Sequence, residues 1–312
     1  MFRPLYRDLN TALRERFGCR VQKISLDAGL TCPNRDGRKG VGGCIYCNRL
    51  GSGTGASSHQ SITSQLESGK AYLRRRYKAH KFIAYFQSFS NTYAPIVTLR
   101  RLYEEALSVP DIVGLTIGTR PDCVDDSVLD LVTELSEQTY IVMEYGLQSV
   151  HNRTLSFINR GHTAETFRDA VDRTRSRGLD ICVHVILGLP GEDKADMLET
   201  AKALGRMDIQ AIKIHLLYVI QDTPLHRLYE QGKYACLSRE AYVDIVCDFL
   251  ALLPPHVIIH RLTGDPHREE LVAPLWALEK QTNLGMIRET LRVRGDWQGK
   301  AHTGCERASM RV

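Results

Sequence analysis

The stretch TCPNRDGRKGVGGCIYC, residues 31–47, carries three cysteines near the start of the 312-residue chain. Cys44 and Cys47 form a Cys-x-x-Cys pair, a spacing that lets two sulfur atoms face one metal centre, and Cys32 lies upstream across a glycine-rich loop. Glycines let the backbone of such a loop turn tightly and approach a bound group closely. Three thiolates are one fewer than a closed zinc site or a fully ligated iron–sulfur cluster uses. The pattern therefore indicates a metal centre with one open coordination position.

The same cysteines leave plainer interpretations open. A structural zinc site needs a fourth ligand, and His59 is the nearest candidate. A disulfide is disfavoured, because three clustered thiols do not pair off and because nine cysteines in a chain without an export signal are expected to stay reduced. The remaining interpretation is that the three cysteines are close together by chance. The glycine-rich loop between them argues against it.

Composition bounds the class of protein. A hydrophobic share of 43% and a charged share of 25% are typical of a globular chain with a sizeable core. No apolar run is long enough to span a bilayer, and the N-terminal stretch MFRPLYRDLN has no apolar signal core, so we expect a cytoplasmic protein with no membrane partner. The net charge of +5 permits a nucleic-acid partner without demonstrating one.

Apolar runs alternate with helical patterns along most of the chain. Six of these runs predict buried strands, at residues 21–26, 82–87, 112–119, 140–147, 179–187 and 211–219. Strand–helix alternation at this spacing predicts parallel strands with helices outside, and right-handed crossovers would curl them into a partial (β/α)6 TIM-like barrel of the α/β class.

The two ends of the chain depart from this alternation. Residues 1–20 predict a lead-in helix that stops at Gly18. Beyond residue 235 the pattern becomes mostly helical, with one further strand candidate at 257–262. We therefore expect a barrel with the cysteine loop over residues 1–235 and a C-terminal extension over residues 236–312. Within the extension, residues 261–276 are the predicted substrate-side element.

Polar motifs follow the predicted strands at their carboxyl ends, where barrels of this kind carry their chemistry. In EYGLQS, residues 144–149, alternation places Glu144 and Gln148 on one face of a buried strand, where neither is ordinary core filler. In GTRPD, residues 118–122, Arg120 could bind a carboxylate or phosphate, or form an ion pair with a neighbouring acid. The spacing alone does not choose between these roles for Arg120.

These motifs, taken in order, resemble those of the radical S-adenosylmethionine (radical SAM) superfamily. The commonest cluster motif of that family has three residues between its first two cysteines, whereas this chain has eleven. The longer gap resembles the branch that contains the elongator catalytic subunit, and within it the bacterial group named after YhcC. EYGLQS, NRGHT at residues 159–163 and HVILGLPGE at residues 184–192 resemble further motifs of the same family. The resemblance covers roughly residues 2–294.

The resemblance implies a fold, a reaction and a site. Cys32, Cys44 and Cys47 would hold a [4Fe–4S] cluster whose open iron binds S-adenosylmethionine (SAM). Reductive cleavage of SAM would give a 5′-deoxyadenosyl radical that abstracts a hydrogen atom from the substrate. No catalytic residue is implied beyond the ligands of the cluster and of the cofactor. The implied cofactor-binding residues are Tyr46, Asn91, Thr92, Glu144, Gln148, Arg160, Gly188 and Glu192. A Gly-Gly-Glu motif, common in the family at the end of the second strand, is absent here.

Partners are implied less specifically. The elongator-like motifs suggest a tRNA base as the substrate, and flavodoxin or ferredoxin would be a suitable electron donor. A basic run without acidic residues, GKAYLRRRYKAHK at residues 69–81, is either a phosphate-contacting patch or a solvated helix face. Other hypotheses are a small-metabolite or protein substrate, an electron-transfer protein, and an iron–sulfur or zinc RNA-binding module without catalysis.

Overall fold

The computed structural model describes residues 3–48, 51 and 59–303. Its strands are β1 (Val21–Leu26), β2 (Lys81–Phe86), β3 (Ile112–Thr119), β4 (Tyr140–Gln148), β5 (Asp180–Leu187), β6 (Ala211–Leu216), β7 (Val219–Ile220), β8 (Ile258–Arg261) and β9 (Leu271–Ala273). Its α-helices are α1 (Leu9–Phe17), α2 (Ile62–Tyr77), α3 (Ile96–Ser108), α4 (Asp126–Ser136), α5 (Asn152–Phe157), α6 (Ala164–Ser176), α7 (Lys194–Gly205), α8 (Pro224–Glu230), α9 (Arg239–Leu252) and α10 (Lys280–Arg294). Short 3-10 helices cover Pro121–Cys123 and Leu275–Leu278.

Seven of these strands form one parallel sheet in the order β1-β2-β3-β4-β5-β6-β8. The sheet curls into a half-barrel with helices on its outer face, which confirms the predicted α/β partial TIM-like barrel. The count differs from the prediction, because the strand candidate at 257–262 is β8 and pairs with β6. The chain after residue 235 therefore contributes a strand to the barrel itself, while the predicted boundary at residue 235 stays a prediction.

The sixth predicted strand is shorter than its apolar run. β6 ends at Leu216, and the chain turns so that Val219–Ile220 becomes β7. β7 pairs in antiparallel fashion with β9 and forms a separate two-stranded sheet. This small sheet brings the segment around β9 to the carboxyl end of the barrel.

Most helices begin at residues whose side chains accept a hydrogen bond from the first turn. Six of these N-caps are Asp8, Ser61, Asp125, Thr163, Asp193 and Ser238. Such caps each contribute about 0.5–2 kcal/mol to helix stability. α1 ends at Gly18, whose φ of 69° is the left-handed conformation that glycine adopts readily. The lead-in helix therefore ends where the sequence predicts. No helix in the described ranges is both long and apolar enough to cross a bilayer.

The main hydrophobic core lies between the sheet and the helices. On the inner face of the sheet, Val21 and Ile83 belong to one small apolar cluster, and Val142, Cys182 and Ala211 form another. Above these clusters the interior is charged, since Glu144 and Lys213 are both buried there. Barrel interiors are usually filled with branched apolar residues. The polar interior therefore marks where the site lies.

Candidate metal and cofactor site

A cavity of about 630 Å³ opens at the carboxyl ends of the strands. That size is within the range of roughly 300–1,000 Å³ that small-ligand sites occupy. Seven of the predicted site residues line it: Cys32, Cys44, Cys47, Tyr46, Glu144, Gln148 and Arg160. The cavity thus brings together three cysteines from one loop and three polar side chains from β4 and the segment after α5.

The cysteine loop is held against the segment that follows α5. The Asn159 side chain donates a hydrogen bond to the carbonyl of Gly43 (2.8 Å), and the Ile45 amide donates to the carbonyl of Ile158 (3.1 Å). These bonds join residues more than a hundred positions apart in the chain. The NRGHT motif therefore fixes the position of the Cys-x-x-Cys pair.

Two arginines lie beside the sulfur atoms. Arg160 Nη1 is 3.6 Å from Cys44 Sγ, and Arg120 Nη1 is 4.0 Å from Cys32 Sγ. The pKa of Cys44 is well below its usual value, because Cys47 hydrogen-bonds to it and because Arg160 and Arg120 offset the effect of burial. Nearby cations favour the thiolate, which is the metal-binding form of cysteine.

Arg160 reaches its position because β4 has a glycine there. Its Nη2 donates to the carbonyl of Gly146 at 2.7 Å. A Cβ on Gly146 would lie 2.5 Å from that nitrogen and 2.8 Å from Nε2 of Gln148, closer than such atoms approach. The glycine of EYGLQS therefore makes room for both side chains.

Several polar groups around the cavity have no partner among the described residues. Arg160 Nε and Tyr46 Oη are buried without a hydrogen bond. Gln148 lines the cavity with a φ of 80°, which is rare for a residue with a side chain. No described residue forms a hydrogen bond with its side-chain amide. Buried donors are nearly always paired in native proteins. Three thiols with unpaired donors beside them fit an anionic, thiolate-bound group.

The structure settles the open question about Arg120. Its guanidinium makes two hydrogen bonds to Asp122, both 2.9 Å, and a third to the carbonyl of Arg160 (2.7 Å). Asp122 also pairs with Lys39 at 2.7 Å. Arg120 is therefore engaged in an ion pair that braces the NRGHT segment, which is the second of the two predicted roles.

Two predicted cofactor residues, Asn91 and Thr92, do not line the cavity. The Asn91 amide donates to the carbonyl of Gly118 (2.8 Å), and Thr92 Oγ1 lies 2.6 Å from Thr119 Oγ1 and donates to the carbonyl of Cys123 (2.6 Å). Both side chains join the ends of β2 and β3. They support the cavity wall, and their contact with the cofactor stays a prediction.

Gly188 and Glu192 also lie outside the cavity lining. Leu237 covers Gly188, so that a Cβ there would lie 3.1 Å from its Cδ1. Glu192 accepts a hydrogen bond from Ser149, and burial raises the pKa of its carboxyl group. Ser149 in turn accepts from the His151 amide (3.0 Å). Glu192 therefore fixes the link between β4 and α5, and the contact of Gly188 and Glu192 with the cofactor stays a prediction.

Glu144 is the centre of a buried network that the sequence did not reveal. Its carboxylate pairs with Lys23 (2.6 Å), Lys213 (2.8 Å) and His184 (2.7 Å), and lies 3.4 Å from His260 Nδ1. Burial raises its pKa, but the two lysines outweigh burial and hold the pKa well below the usual value. The sequence does carry a sign of this network, namely ionisable residues at inward positions of buried strands. Only Glu144 was identified from that sign, and its partners Lys23, His184 and Lys213 were not.

The basic run lies far from this site. α2 runs antiparallel to the strands, so its last turn lies at the amino end of β2. Lys70 is buried and pairs with Glu67 (2.8 Å), and Arg74 pairs with Asp111, which precedes β3. The run is therefore partly neutralised and occupies the opposite end of the barrel from the cavity.

The zinc candidate and the other cysteines of the described ranges do not line the cavity that holds the three thiols. His59 is exposed and does not line the cavity. Cys182 and Cys247 are buried, and all eight described cysteines are unpaired. Cys305 lies outside the described residues.

Comparison with protein families assigns the chain. A model of the radical SAM superfamily matches residues 34–204, and a model of the radical SAM C-terminal domain matches residues 209–293. The chain belongs to the radical SAM superfamily. Radical SAM enzymes use a [4Fe–4S] cluster and SAM, so the predicted cofactors and enzyme class are confirmed.

Individual relatives place this radical SAM chain more closely. It is 45% identical to YtqA of Bacillus subtilis over 95% of this chain and 92% of that protein. It is 39% identical to YhcC of Escherichia coli over 87% of each chain. These matches confirm the predicted YhcC-type group.

The relation to the elongator branch also holds. Elp3 of the archaeon Methanocaldococcus infernus superposes with a TM-score of 0.69 over 89% of this chain and 64% of that one, and at 16% identity it shows the shared fold alone. A tRNA uridine(34) acetyltransferase of Methanocaldococcus jannaschii is 27% identical over 56% of this chain and 32% of that protein.

Proposed function

We propose that Cys32, Cys44 and Cys47 ligate the cluster and that Arg160, Gln148 and Tyr46 contact bound SAM. The observation that supports this most strongly is one cavity that holds all three thiols beside buried donors without partners. When bound, the cluster and SAM supply one-electron cleavage of the sulfonium bond and hydrogen-atom abstraction. The chain's own part is to stabilise thiolates, orient SAM and keep water out.

The C-terminal extension is proposed as the substrate side of this cavity. Four polar residues of the extension line the cavity, namely Arg261, Asp265, His267 and Glu270. Tyr218, which follows β6, lines it as well. The small sheet of β7 and β9 holds this segment over the barrel. A substrate entering past it would meet the cofactor site from the carboxyl ends of the strands.

Gln148→Ala is expected to weaken SAM binding while the cluster remains. An amide hydrogen bond contributes ~0.5–1.5 kcal/mol, which corresponds to roughly a 2- to 10-fold loss of affinity. Isothermal titration of the reconstituted protein with SAM under argon measures it. Gln138→Ala, an exposed glutamine between α4 and β4, is the matched control. Wild-type affinity in the Gln148 variant would rule out the proposed contact.

The proposed substrate is a tRNA base. Support comes from relatives, namely the resemblance to the elongator branch and to a tRNA uridine(34) acetyltransferase. Mass spectrometry of tRNA nucleosides from a deletion strain tests it, and we expect one modified nucleoside to be lost and its precursor to accumulate. An unchanged nucleoside profile would end the tRNA proposal.

The basic run offers a second test of how RNA would bind. Because Arg74, Arg75 and Arg76 lie at the opposite end of the barrel, we expect their triple alanine variant to bind tRNA with an unchanged salt dependence. A patch that contacts phosphates would instead lose roughly one unit of salt slope per contact. Filter binding across a range of salt concentrations distinguishes the two, and a flattened slope would restore the patch hypothesis.

A small anionic metabolite is the second candidate substrate, favoured by the cationic floor of the cavity described below. For either substrate, flavodoxin or ferredoxin is the proposed electron donor. A cytoplasmic location is proposed as well, because all eight described cysteines are unpaired and a reducing compartment keeps them so.

A further inference from the structure

The floor of the cavity carries more positive than negative charge. Lys213 and Arg261 line the cavity from β6 and the end of β8, and they lie in register on neighbouring strands. Lys23 of β1 does not line the cavity but pairs with Glu144, which does. Glu144 is the acid among them and pairs with both lysines. One buried carboxylate is therefore shared by two lysines, and Arg261 is a third cation, on the cavity lining.

Arg261 is the cation that Glu144 does not neutralise. Its guanidinium lines the cavity, and no residue within 3–48, 51 and 59–303 forms a hydrogen bond or an ion pair with it. A guanidinium offers five donors and stays charged at any physiological pH. A partly buried arginine without a partner is unusual, because desolvation is costly unless an anion compensates it.

The other acids of the cavity wall are already engaged. Asp265 pairs with Lys280 at 2.6 Å, and Glu270 accepts a hydrogen bond from Asn48 at 3.1 Å. Neither lies within ion-pair distance of Arg261 among the described residues. The missing counter-charge is therefore not supplied by the wall.

A histidine beside Arg261 adds a second donor. His215 lines the cavity on β6, its ring lies 5.5 Å from that of His184 at a tilted angle, and it makes no hydrogen bond with a described residue. Burial and the charge of Arg261 hold the pKa of His215 well below its usual value, so the ring is neutral and keeps one N–H. A guanidinium and an N–H facing one space suit an acceptor with two oxygens.

We propose that Arg261 and His215, with Lys213 beneath them, form a subsite for an oxyanion of the substrate, a carboxylate or a phosphate. The inference rests on the proposed function only in taking this cavity as the substrate site. Arg261 is not among the residues proposed above to hold the cluster or SAM, which are the three thiols, Arg160, Gln148 and Tyr46. The subsite therefore orients a substrate that approaches from the C-terminal extension.

Bromide soaks of holoenzyme crystals test the subsite without any turnover. Bromide is an anion of suitable size whose anomalous scattering locates it directly. We expect a peak between Arg261 and His215 in the wild type, no peak there in Arg261→Gln, and a retained peak in Arg268→Gln, an exposed arginine of the same segment that does not line the cavity. No bromide at the floor of the wild-type cavity would overturn the proposal, as would a peak that survives Arg261→Gln.

Binding of tRNA identifies the source of the oxyanion. If it belongs to RNA, Arg261→Gln weakens tRNA binding by about 10- to 100-fold, the usual effect of losing a charge-assisted contact. If the wild type and Arg261→Gln bind tRNA equally well and the bromide peak is present, the oxyanion belongs to a small acid. Wild-type protein that binds no tRNA refutes the tRNA proposal and leaves the subsite standing, so the two failures are distinguishable.

Discussion

Replacing Cys44 with alanine is expected to abolish both the cluster and SAM cleavage. Cys44 is buried, its sulfur lies 3.6 Å from Arg160, and its pKa is well below the usual value. Two remaining thiolates cannot complete a site that already has one open position. The broad visible absorbance of the reconstituted protein and its content of iron and sulfide should both fall to background. Cys32→Ala and Cys47→Ala should behave in the same way.

Cys247→Ala is the control for this prediction. Cys247 is buried on α9 against α10, away from the cavity, and burial raises the pKa of its thiol to about 12. This variant should keep the cluster and the rate of SAM cleavage. A cluster that survives replacement of all three cysteines of the loop would refute the ligand assignment.

Glu144→Gln is expected to destabilise the fold more than any other single change in the barrel interior. It leaves Lys23 and Lys213 without their shared counter-ion, and breaking a buried ion pair costs about 3–5 kcal/mol. Domains are stable by only about 5–15 kcal/mol, so a large fraction of the unfolding free energy would be lost. The urea midpoint of the apoprotein, read by circular dichroism, measures the effect.

A double variant separates this structural role from the predicted cofactor contact of Glu144. Removing a lysine together with the acid leaves fewer uncompensated charges, so Glu144→Gln with Lys213→Met should regain part of the lost stability. If the single variant unfolds at the wild-type midpoint but no longer binds SAM, Glu144 contacts the cofactor and the ion-pair account is wrong.

Local pattern was enough to predict most of the barrel. β1 and β3 lie at the predicted residues, because each is an apolar run between residues that favour turns or caps. The end of β6 was misplaced, because the run continues in an apolar pattern through Val219. Only the pairing of Val219 with Ala273 on β9 shows that the chain has left the sheet. The strand at β8 was predicted as a candidate, but its place beside β6 was not. That pairing joins residues more than forty positions apart in the chain.

The site was predictable where its residues lie in one motif and not where they meet across the fold. The three cysteines share a loop, so their spacing alone suggested a common centre. The approach of Arg160 to Cys44 spans 116 positions and was not predicted, since the family resemblance gave Arg160 only as a cofactor-binding residue. The network around Glu144 needed three-dimensional register, because its partners come from separate strands. Likewise, the sequence could not show that the Asn91 side chain donates its hydrogen bond to the carbonyl of Gly118.

The most direct test of the account is SAM cleavage by the protein itself. Anaerobically reconstituted protein should be mixed with SAM and dithionite, and methionine and 5′-deoxyadenosine quantified by mass spectrometry. Both products should form in equal amounts and only with the reductant, and Cys44→Ala should yield neither. Protein that holds a complete [4Fe–4S] cluster and binds SAM, yet forms neither product with any reductant, would contradict the account.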